Sequence, residues 1–129
     1  MKFLLDTNAV IELLKGTPRF QKRLMEYEPE DFGLSAIVLH ELFYGAFKSR
    51  HVQANLARVE GLRFPVVALD SEAARRSGEI RAHLAKAGTP IGPLDVLIAG
   101  QALSRSLTVI THNRGEFDRV PGLRVEDWR

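Results

Sequence analysis

Short apolar runs along the chain alternate with segments whose apolar residues recur every three or four positions. The runs at 2–5, 32–34, 64–69 and 107–110 predict buried strands, and 123–128 predicts a last edge strand. The periodic segments predict helices over 7–15, 18–27, 36–48, 52–60, 71–87 and 93–103. This alternation favours an α/β fold, with three α/β/α layers built around a short, mainly parallel central sheet.

Residues that begin or end helices support these boundaries. Gly16 and Gly88 follow two of the predicted helices, where glycine commonly adopts the left-handed conformation that ends a helix. Ser35 and Asp70 precede two others, where their side chains can accept a hydrogen bond from a free backbone N–H. Thr17 is placed to do the same ahead of the proline that follows it. We therefore assign Asp70 to capping, although it also follows a strand.

The composition is that of an ordinary globular protein of 129 residues, with 45% hydrophobic and 26% charged residues. This length predicts a single domain over 1–129. The absence of cysteine excludes disulfides, thiolate nucleophiles and cysteine-ligated zinc. No uncharged apolar stretch is long enough for a signal-peptide core or a membrane span. We therefore expect a soluble, cytoplasmic protein with no membrane partner.

Basic residues are dominated by arginine. The net charge is only +2, but 13 of the 18 basic residues are arginine. Arginine makes bidentate contacts with phosphate, so this composition favours a polyanionic partner. An ordinary solvated surface accounts for it equally well, and composition alone leaves both interpretations open.

Four acidic residues lie where a parallel sheet is expected to place a binding site. Asp6 directly follows the first strand, and Glu116 comes shortly after the fourth. Asp95 occupies the first turn of the helix over 93–103, whose apolar residues cover most of its circumference. Glu41 lies in the middle of the helix over 36–48. Because ligands of α/β proteins bind beyond the carboxyl ends of the strands, these carboxylates are candidates for one site.

Each of these carboxylates also has an ordinary structural explanation. Asp6 suits capping of the helix that follows it, and Asp95 suits the positive end of its helix. Glu41 and Glu116 suit solvated positions. Asp95 fits least well, because an unpaired carboxylate on the inward face of a buried helix is costly. If the acids converge, two of them about 4 Å apart repel by roughly 4 kcal/mol, and such an all-oxygen cluster suits Mg²⁺ or Mn²⁺ rather than zinc.

Four segments carry a resemblance to a known family: FLLDTN (3–8), SAIVLHELFYGAFKS (35–49), IRAHLAKAGTPIGPLDVLIAGQA (80–102) and TVITHNRGEFDRVPGLRVEDW (108–128). Together they reach from one end of the chain to the other, in the order and at the spacing of that family. On these segments the sequence resembles the PIN-domain ribonucleases, and within them the VapC toxins of type II toxin–antitoxin pairs. The resemblance implies a PIN-like α/β/α domain over 1–129.

The resemblance also implies site residues at the matching positions. Four acids would be catalytic: Asp6, Glu41, Asp95 and Glu116. Three polar residues would support them: Asn8, Thr111 and Asn113. Asp6 and Asp95 would be the principal metal ligands. The fourth acidic position is often aspartate in the wider family, which leaves Asp118 as an alternative to Glu116.

The implied activity is that of an Mg²⁺-dependent endoribonuclease toxin, with Mn²⁺ able to substitute. A bound metal lowers the pKa of water, and the hydroxide would attack an RNA phosphorus in line. The expected products carry a 5′-phosphate and a 3′-hydroxyl. Glu41 and Glu116 are both candidates for orienting or deprotonating the water.

The same resemblance implies partners. The substrate would be tRNA, rRNA or another structured RNA, whose cleavage inhibits translation. A VapB-like antitoxin would neutralise the toxin by covering the active-site groove, and the toxin would form a homodimer within a larger complex. Phe43, Tyr44 and Phe47 fit antitoxin contacts and core packing equally well. Eight basic residues are candidates for guiding RNA towards the acids: Lys48, Arg50, His51, Arg75, Arg76, Arg81, Arg114 and Arg119.

Two other functions are compatible with parts of the sequence. A phosphatase of the haloacid-dehalogenase type also carries an aspartate after its first strand, but its Asp-x-Asp motif would need an acid where Asn8 stands. A catalytically inactive PIN-like module would bind RNA or a partner without cutting, and it would not need clustered negative charge. Cleavage of RNA with Mg²⁺ or Mn²⁺ discriminates between these functions and the nuclease.

Overall fold

The computed structural model describes residues 1–129 and contains the predicted alternation of strands and helices. Its strands are β1 (Phe3–Leu5), β2 (Phe32–Ser35), β3 (Val66–Val67), β4 (Thr108–Ile110) and β5 (Val125–Glu126). Its helices are α1 (Thr7–Lys15), α2 (Pro18–Leu24), α3 (Ala36–Phe47), α4 (Val52–Glu60), α5 (Ser71–Ala87), α6 (Pro93–Ser104) and α7 (Arg114–Phe117), with a 3₁₀ turn at Pro29–Asp31. None of the helices combines the length and apolar character needed to cross a bilayer.

The strands form one sheet in the order β3-β2-β1-β4-β5, and every neighbouring pair is parallel. The chain moves outward from β1 to β3 and then returns to the other side of β1 for β4 and β5. Because crossovers between parallel strands are right-handed almost without exception, moving in these two directions places helices on both faces of the sheet. The structure thus confirms the predicted three-layer α/β fold. Because the strand order reverses between β1 and β4, a crevice is expected at their carboxyl ends.

The helix boundaries follow mostly from capping, as the sequence predicts. Gly16 and Gly88 have left-handed φ values of 70° and 73° and end α1 and α5. The Ser35 and Asp70 side chains accept hydrogen bonds from backbone N–H groups at the starts of α3 and α5. Thr17 is the N-cap of α2 and Pro18 follows it, as predicted, but the Thr17 hydroxyl donates to the Glu12 carboxylate 2.6 Å away and makes no capping bond.

The outer strands are shorter than their apolar runs predict. The run at 64–69 contains only the two residues of β3, because Pro65 has no N–H to donate and contributes only its carbonyl, to the Leu34 N–H. The run at 123–128 contains only the two residues of β5. The side chain of Trp128 instead packs in an aromatic cluster, with ring centroids 5.0 Å from Phe3 and 5.8 Å from Phe20. This cluster attaches the C-terminal segment to α2 and to the sheet.

A buried polar chain connects the elements behind the crevice. The Ser35 hydroxyl, at the end of β2, donates to the Gln101 side-chain oxygen on α6 over 2.5 Å. The Gln101 side-chain nitrogen donates to the Val67 carbonyl at the end of β3 over 3.0 Å. Ser35 also caps α3, so this chain fixes α3 and α6 to the same strand ends.

Candidate active site

Asp6 lies at the carboxyl end of β1, beside β4, where the strand order reverses. Its side chain is buried, with 4% of the residue exposed. One carboxylate oxygen caps α1 by accepting from the Thr7 N–H at 2.8 Å, and the other accepts from the Thr111 hydroxyl at 2.7 Å. Burial raises the pKa of Asp6, and the hydrogen bonds from Thr111 and Thr7 partly offset this effect. Asp6 therefore caps α1 and also lies at the carboxyl ends of the strands, where the sequence predicts the site.

Asp95 and Glu116 are joined by one side-chain amide. The Asn113 Nδ2 group donates to the Asp95 Oδ2 atom at 3.5 Å and makes a shorter hydrogen bond to the Glu116 Oε2 atom. The other Glu116 oxygen accepts from the Gly92 N–H at 2.9 Å. A Cβ at Gly92 would lie 3.2 Å from the Asp95 carboxylate, so the glycine permits this close approach.

Glu41 is connected to the site by Thr7, a residue that the sequence analysis did not select. The Thr7 hydroxyl donates to the Glu41 Oε1 atom at 2.9 Å, while the Thr7 N–H binds Asp6. Thr7 therefore links two of the predicted acids. Its position directly after Asp6, in the first turn of α1, was the available signal. Asn8, which was predicted to support the site, is exposed and its side chain makes no hydrogen bond.

The negative charges act on one another. The pKa of Asp95 is raised to about 7, first by burial and then by its hydrogen bond with Glu116 and the nearby charges of Asp6, Glu116 and Glu41. Hydrogen bonds from Asn113 and from Asp95 lower the pKa of Glu116. The four predicted acids thus share one electrostatic environment.

The side chains that hold these acids are all uncharged. The donors are threonine hydroxyls, the Asn113 amide and backbone N–H groups. No lysine, arginine or histidine forms an ion pair with any of the four acids. A divalent cation would supply the missing charge, and carboxylate oxygens suit Mg²⁺.

No group of three or more acidic or histidine side chains forms a ready-made cage for a metal ion. This arrangement still fits Mg²⁺, which usually takes one or two carboxylates and keeps several waters.

The alternative fourth acid lies elsewhere. Glu116 belongs to the short helix α7 rather than to the polar loop in which sequence reasoning placed it. Asp118 follows that helix, is half exposed, and has a carboxylate oxygen 3.4 Å from the Arg114 guanidinium. The structure thus brings Glu116, and not Asp118, into hydrogen-bond contact with the other site residues.

A groove opens beside Glu41. Thr7, Glu41 and Gly45 line a cavity of about 240 Å³, and a Cβ at Gly45 would meet nothing within 4 Å. Tyr44 and Phe47, on the same helix, are 61% and 63% exposed. Core packing therefore does not account for these two aromatic residues, and the groove is accessible from solvent.

Asp95→Asn should stabilise the metal-free protein in a pH-dependent way. Between its ordinary pKa of 3.8 and its folded value of about 7, Asp95 binds more protons in the folded state than in the unfolded state. The free energy of unfolding therefore falls as pH rises through this window. Since Asp95 is partly exposed, we expect the variant to gain about 1–2 kcal/mol at pH 8 and almost nothing below pH 4. Urea unfolding in chelator at several pH values measures this difference, and a gain that does not change with pH would contradict it.

Comparison with known proteins yields a consistent set of similarities. The family model described as PIN domain matches residues 3–123. The "tRNA(fMet)-specific endonuclease VapC" of Salmonella typhimurium is 47% identical over 130 residues, covering 99% of this chain and 98% of the relative.

Two solved structures show the same similarity in three dimensions. DNA-bound VapBC from Salmonella typhimurium superposes with a TM-score of 0.94 at 47% identity, covering 100% of this chain and 99% of that one. VapBC2 from Rickettsia felis, bound to a promoter DNA fragment, gives a TM-score of 0.93 at 30% identity, with both chains fully covered.

Proposed function

The chain belongs to the PIN-domain family, and from this premise we propose that it is a VapC-type endoribonuclease toxin that cleaves initiator tRNA. The observation that carries the proposal is the cluster of Asp6, Glu41, Asp95 and Glu116 at the strand reversal, held only by neutral donors. A structural role does not require four carboxylates that repel one another. The 47% identity to a relative named for tRNA(fMet) supports the substrate.

We assign the chain's own groups to positioning, proton handling and charge. Asp6 and Asp95 would hold the divalent cation, and the hydrogen bond from Thr111 keeps the Asp6 carboxylate aimed into the crevice. When bound, that cation would activate water and offset the charge that develops on the phosphate. Glu116 accepts from Gly92 and Asn113, which orients its carboxylate beside Asp95. Glu41 lies on the groove side, where it can accept a proton from water.

An antitoxin of the VapB type is the proposed protein partner. Both of the solved structures reported above are VapBC complexes. The groove beside Glu41 is also lined by Ile11, Leu14 and Leu42, so it offers an apolar surface next to that acid. Homodimer formation stays a prediction from the family resemblance.

The proposal is tested by metal removal and analysis of the product ends. The purified protein should cut tRNA(fMet) with Mg²⁺ or Mn²⁺, and chelation should reduce the rate by at least about 10³-fold, because both water activation and charge compensation are lost. The products should carry a 5′-phosphate and a 3′-hydroxyl, as read by end-specific ligation and mass spectrometry.

Each alternative gives a different result in the same assay. A 2′,3′-cyclic phosphate that forms without metal would refute hydrolysis at the carboxylates. RNA that is bound but never cut would identify an inactive binding module. A stable aspartyl-phosphate on Asp6 would indicate the phosphatase.

A further inference from the structure

A basic pocket lies beyond β5, apart from the candidate active site. Residues of α2 and of the C-terminal segment enclose about 370 Å³. Its basic members are Arg19, Lys22, Arg23 and Arg129. None of the basic residues that sequence reasoning selected for RNA guidance belongs to it, because only the fold brings α2 and the C-terminal segment together.

Two of these four basic side chains, Arg23 and Arg129, already form ion pairs within the protein. The Arg23 guanidinium lies over the Trp128 ring, 4.7 Å from its centroid, and 3.3 Å from a Glu126 oxygen. The Arg129 guanidinium binds Asp127 at 2.9 Å. The Arg23 guanidinium is also 3.8 Å from an oxygen of Glu26, so both acids that line the pocket, Glu26 and Asp127, are paired with these two arginines. The free positive charge therefore belongs to the remaining two cations.

Arg19 and Lys22 have no ion-pair partner and are both exposed. They are three positions apart on α2, so they share one face of the helix and point towards the same region of solvent. Two adjacent cations beside an open, polar cavity form a suitable site for an anion, and a phosphate group can contact both.

One residue of the pocket, Asp127, lies at the same end of the strands as the acids. The Thr111 N–H donates to the Glu126 carbonyl, which sets Asp127 level with Thr111 and, one strand further, with Asp6. Strands are spaced by about 4.8 Å, so Asp127 lies roughly 10 Å from Asp6. The His112 ring spans part of this distance, with Nδ1 3.3 Å from the Asp127 carboxylate. A polynucleotide held at the acids can therefore reach the pocket.

We propose that Arg19 and Lys22 bind a backbone phosphate of the RNA substrate on the β5 side of the cleaved bond. The inference rests on the proposed function and extends it to substrate binding. Four carboxylates repel a polyanion, so attraction for RNA must come from cations outside the cluster. Arg19 and Lys22 supply that attraction without neutralising the acids. Because they contact phosphate rather than bases, they add affinity and not sequence preference.

The test compares two double variants that each lose two positive charges. R19Q/K22Q removes the proposed phosphate contact. R63Q/R124Q is the control. Arg63 and Arg124 are exposed and precede β3 and β5, so they lie towards the amino-terminal ends of the strands, whereas the acids lie at the carboxyl ends. Binding of labelled tRNA(fMet) is measured in chelator, where no cleavage occurs, over a range of KCl concentrations. Thermal melts verify that both variants fold.

We expect R19Q/K22Q to weaken RNA binding about 10-fold and the control to change it less than about twofold. The steepness of the plot of log affinity against log salt should fall by about 0.7 for R19Q/K22Q, since the two side chains contact one phosphate and each lost phosphate contact to single-stranded RNA removes about 0.7. With Mg²⁺ present, KM should rise while kcat stays within about twofold. R19K/K22R should retain binding. Trp128 is the only tryptophan, so its emission should respond to RNA in the wild type and not in R19Q/K22Q.

Equal binding by R19Q/K22Q and R63Q/R124Q would overturn the pocket, even if the wild type cleaves RNA as proposed. A wild type that binds RNA through the pocket but never cuts it would refute the proposed function and leave this inference standing. A fall in kcat at unchanged KM would also overturn it, because a remote phosphate contact acts on binding.

Discussion

Asp6→Asn should reduce RNA cleavage by at least about 10³-fold while the protein stays folded. Asparagine keeps the size of the side chain: its Oδ1 atom can still accept from the Thr7 N–H, and its NH2 group can donate to the Thr111 hydroxyl oxygen in place of the bond that Asp6 accepts from that hydroxyl. It removes the negative charge that would hold the cation, and charge compensation of this kind contributes several kcal/mol to the transition state. Initial rates on tRNA(fMet) at saturating Mg²⁺ measure the loss.

The matched control is Asp70→Asn. Asp70 also follows a strand and caps a helix, accepting from the Ala73 N–H at 2.9 Å, but its other partner is Arg105 rather than a site residue. Asparagine caps helices about as well as aspartate, so this variant should cleave within about twofold of wild type. If Asp6→Asn kept the activity of the control, Asp6 would be a helix cap only, and the metal site would have to be placed elsewhere.

Glu116→Gln should lower cleavage by about 10²-fold or more, whereas Asp118→Asn should leave it within about threefold of wild type. Glu116 accepts from Asn113 and Gly92, and a hydrogen bond with Asp95 lowers its pKa, so the substitution changes both the charge and the geometry at the proposed metal ligand. Asp118 lies only two residues further on, but its partner is an exposed arginine. Exposed ion pairs contribute little to stability.

The pair of variants is informative because both remove one negative charge from the same short segment. A general effect of charge on RNA attraction would change both variants by the same factor. Steady-state kcat and KM distinguish a specific role of Glu116 from a general effect of charge. A specific role lowers kcat in Glu116→Gln alone, whereas a general effect changes KM equally in both variants. A larger loss for Asp118→Asn than for Glu116→Gln would exchange the roles that we assign to them.

The pattern of apolar and polar positions predicted the fold well, because the strands are buried on both faces of the sheet and several helices have strong capping residues. Leu4 and Leu5 are fully buried, and such runs are distinctive in sequence. Strand lengths were predicted less well, since apolar residues continue beyond the last ladder hydrogen bond. The residues after β5 show this, where Trp128 is apolar for packing and not for pairing.

Sequence analysis selects candidate site residues that have a recognisable neighbourhood in sequence and overlooks contacts whose partner is distant in the chain. Asp6, Asp95 and Glu116 were selected because they follow strands or begin a buried helix, and mid-helix Glu41 was selected through its match to a motif of the PIN family. Thr7 was missed because its partner Glu41 is 34 positions away. The Gly92 N–H was missed as a ligand of Glu116 because a backbone donor has no residue signature. Arg19 and Lys22 were missed because only the folded chain sets α2 beside the C-terminal segment.

The buried hydrogen bonds among Ser35, Gln101 and Val67 hold the base of the crevice rigid, whereas its rim is exposed to solvent. Replacing Gln101 with an apolar residue would leave the Ser35 hydroxyl and the Val67 carbonyl without partners in the interior, at a cost of about 1–3 kcal/mol each. Changes at the exposed rim carry no such cost. Substitutions around the opening can therefore change which molecules fit the crevice, whereas substitutions of Ser35 or Gln101 would also loosen the anchoring of α3 and α6 beneath it.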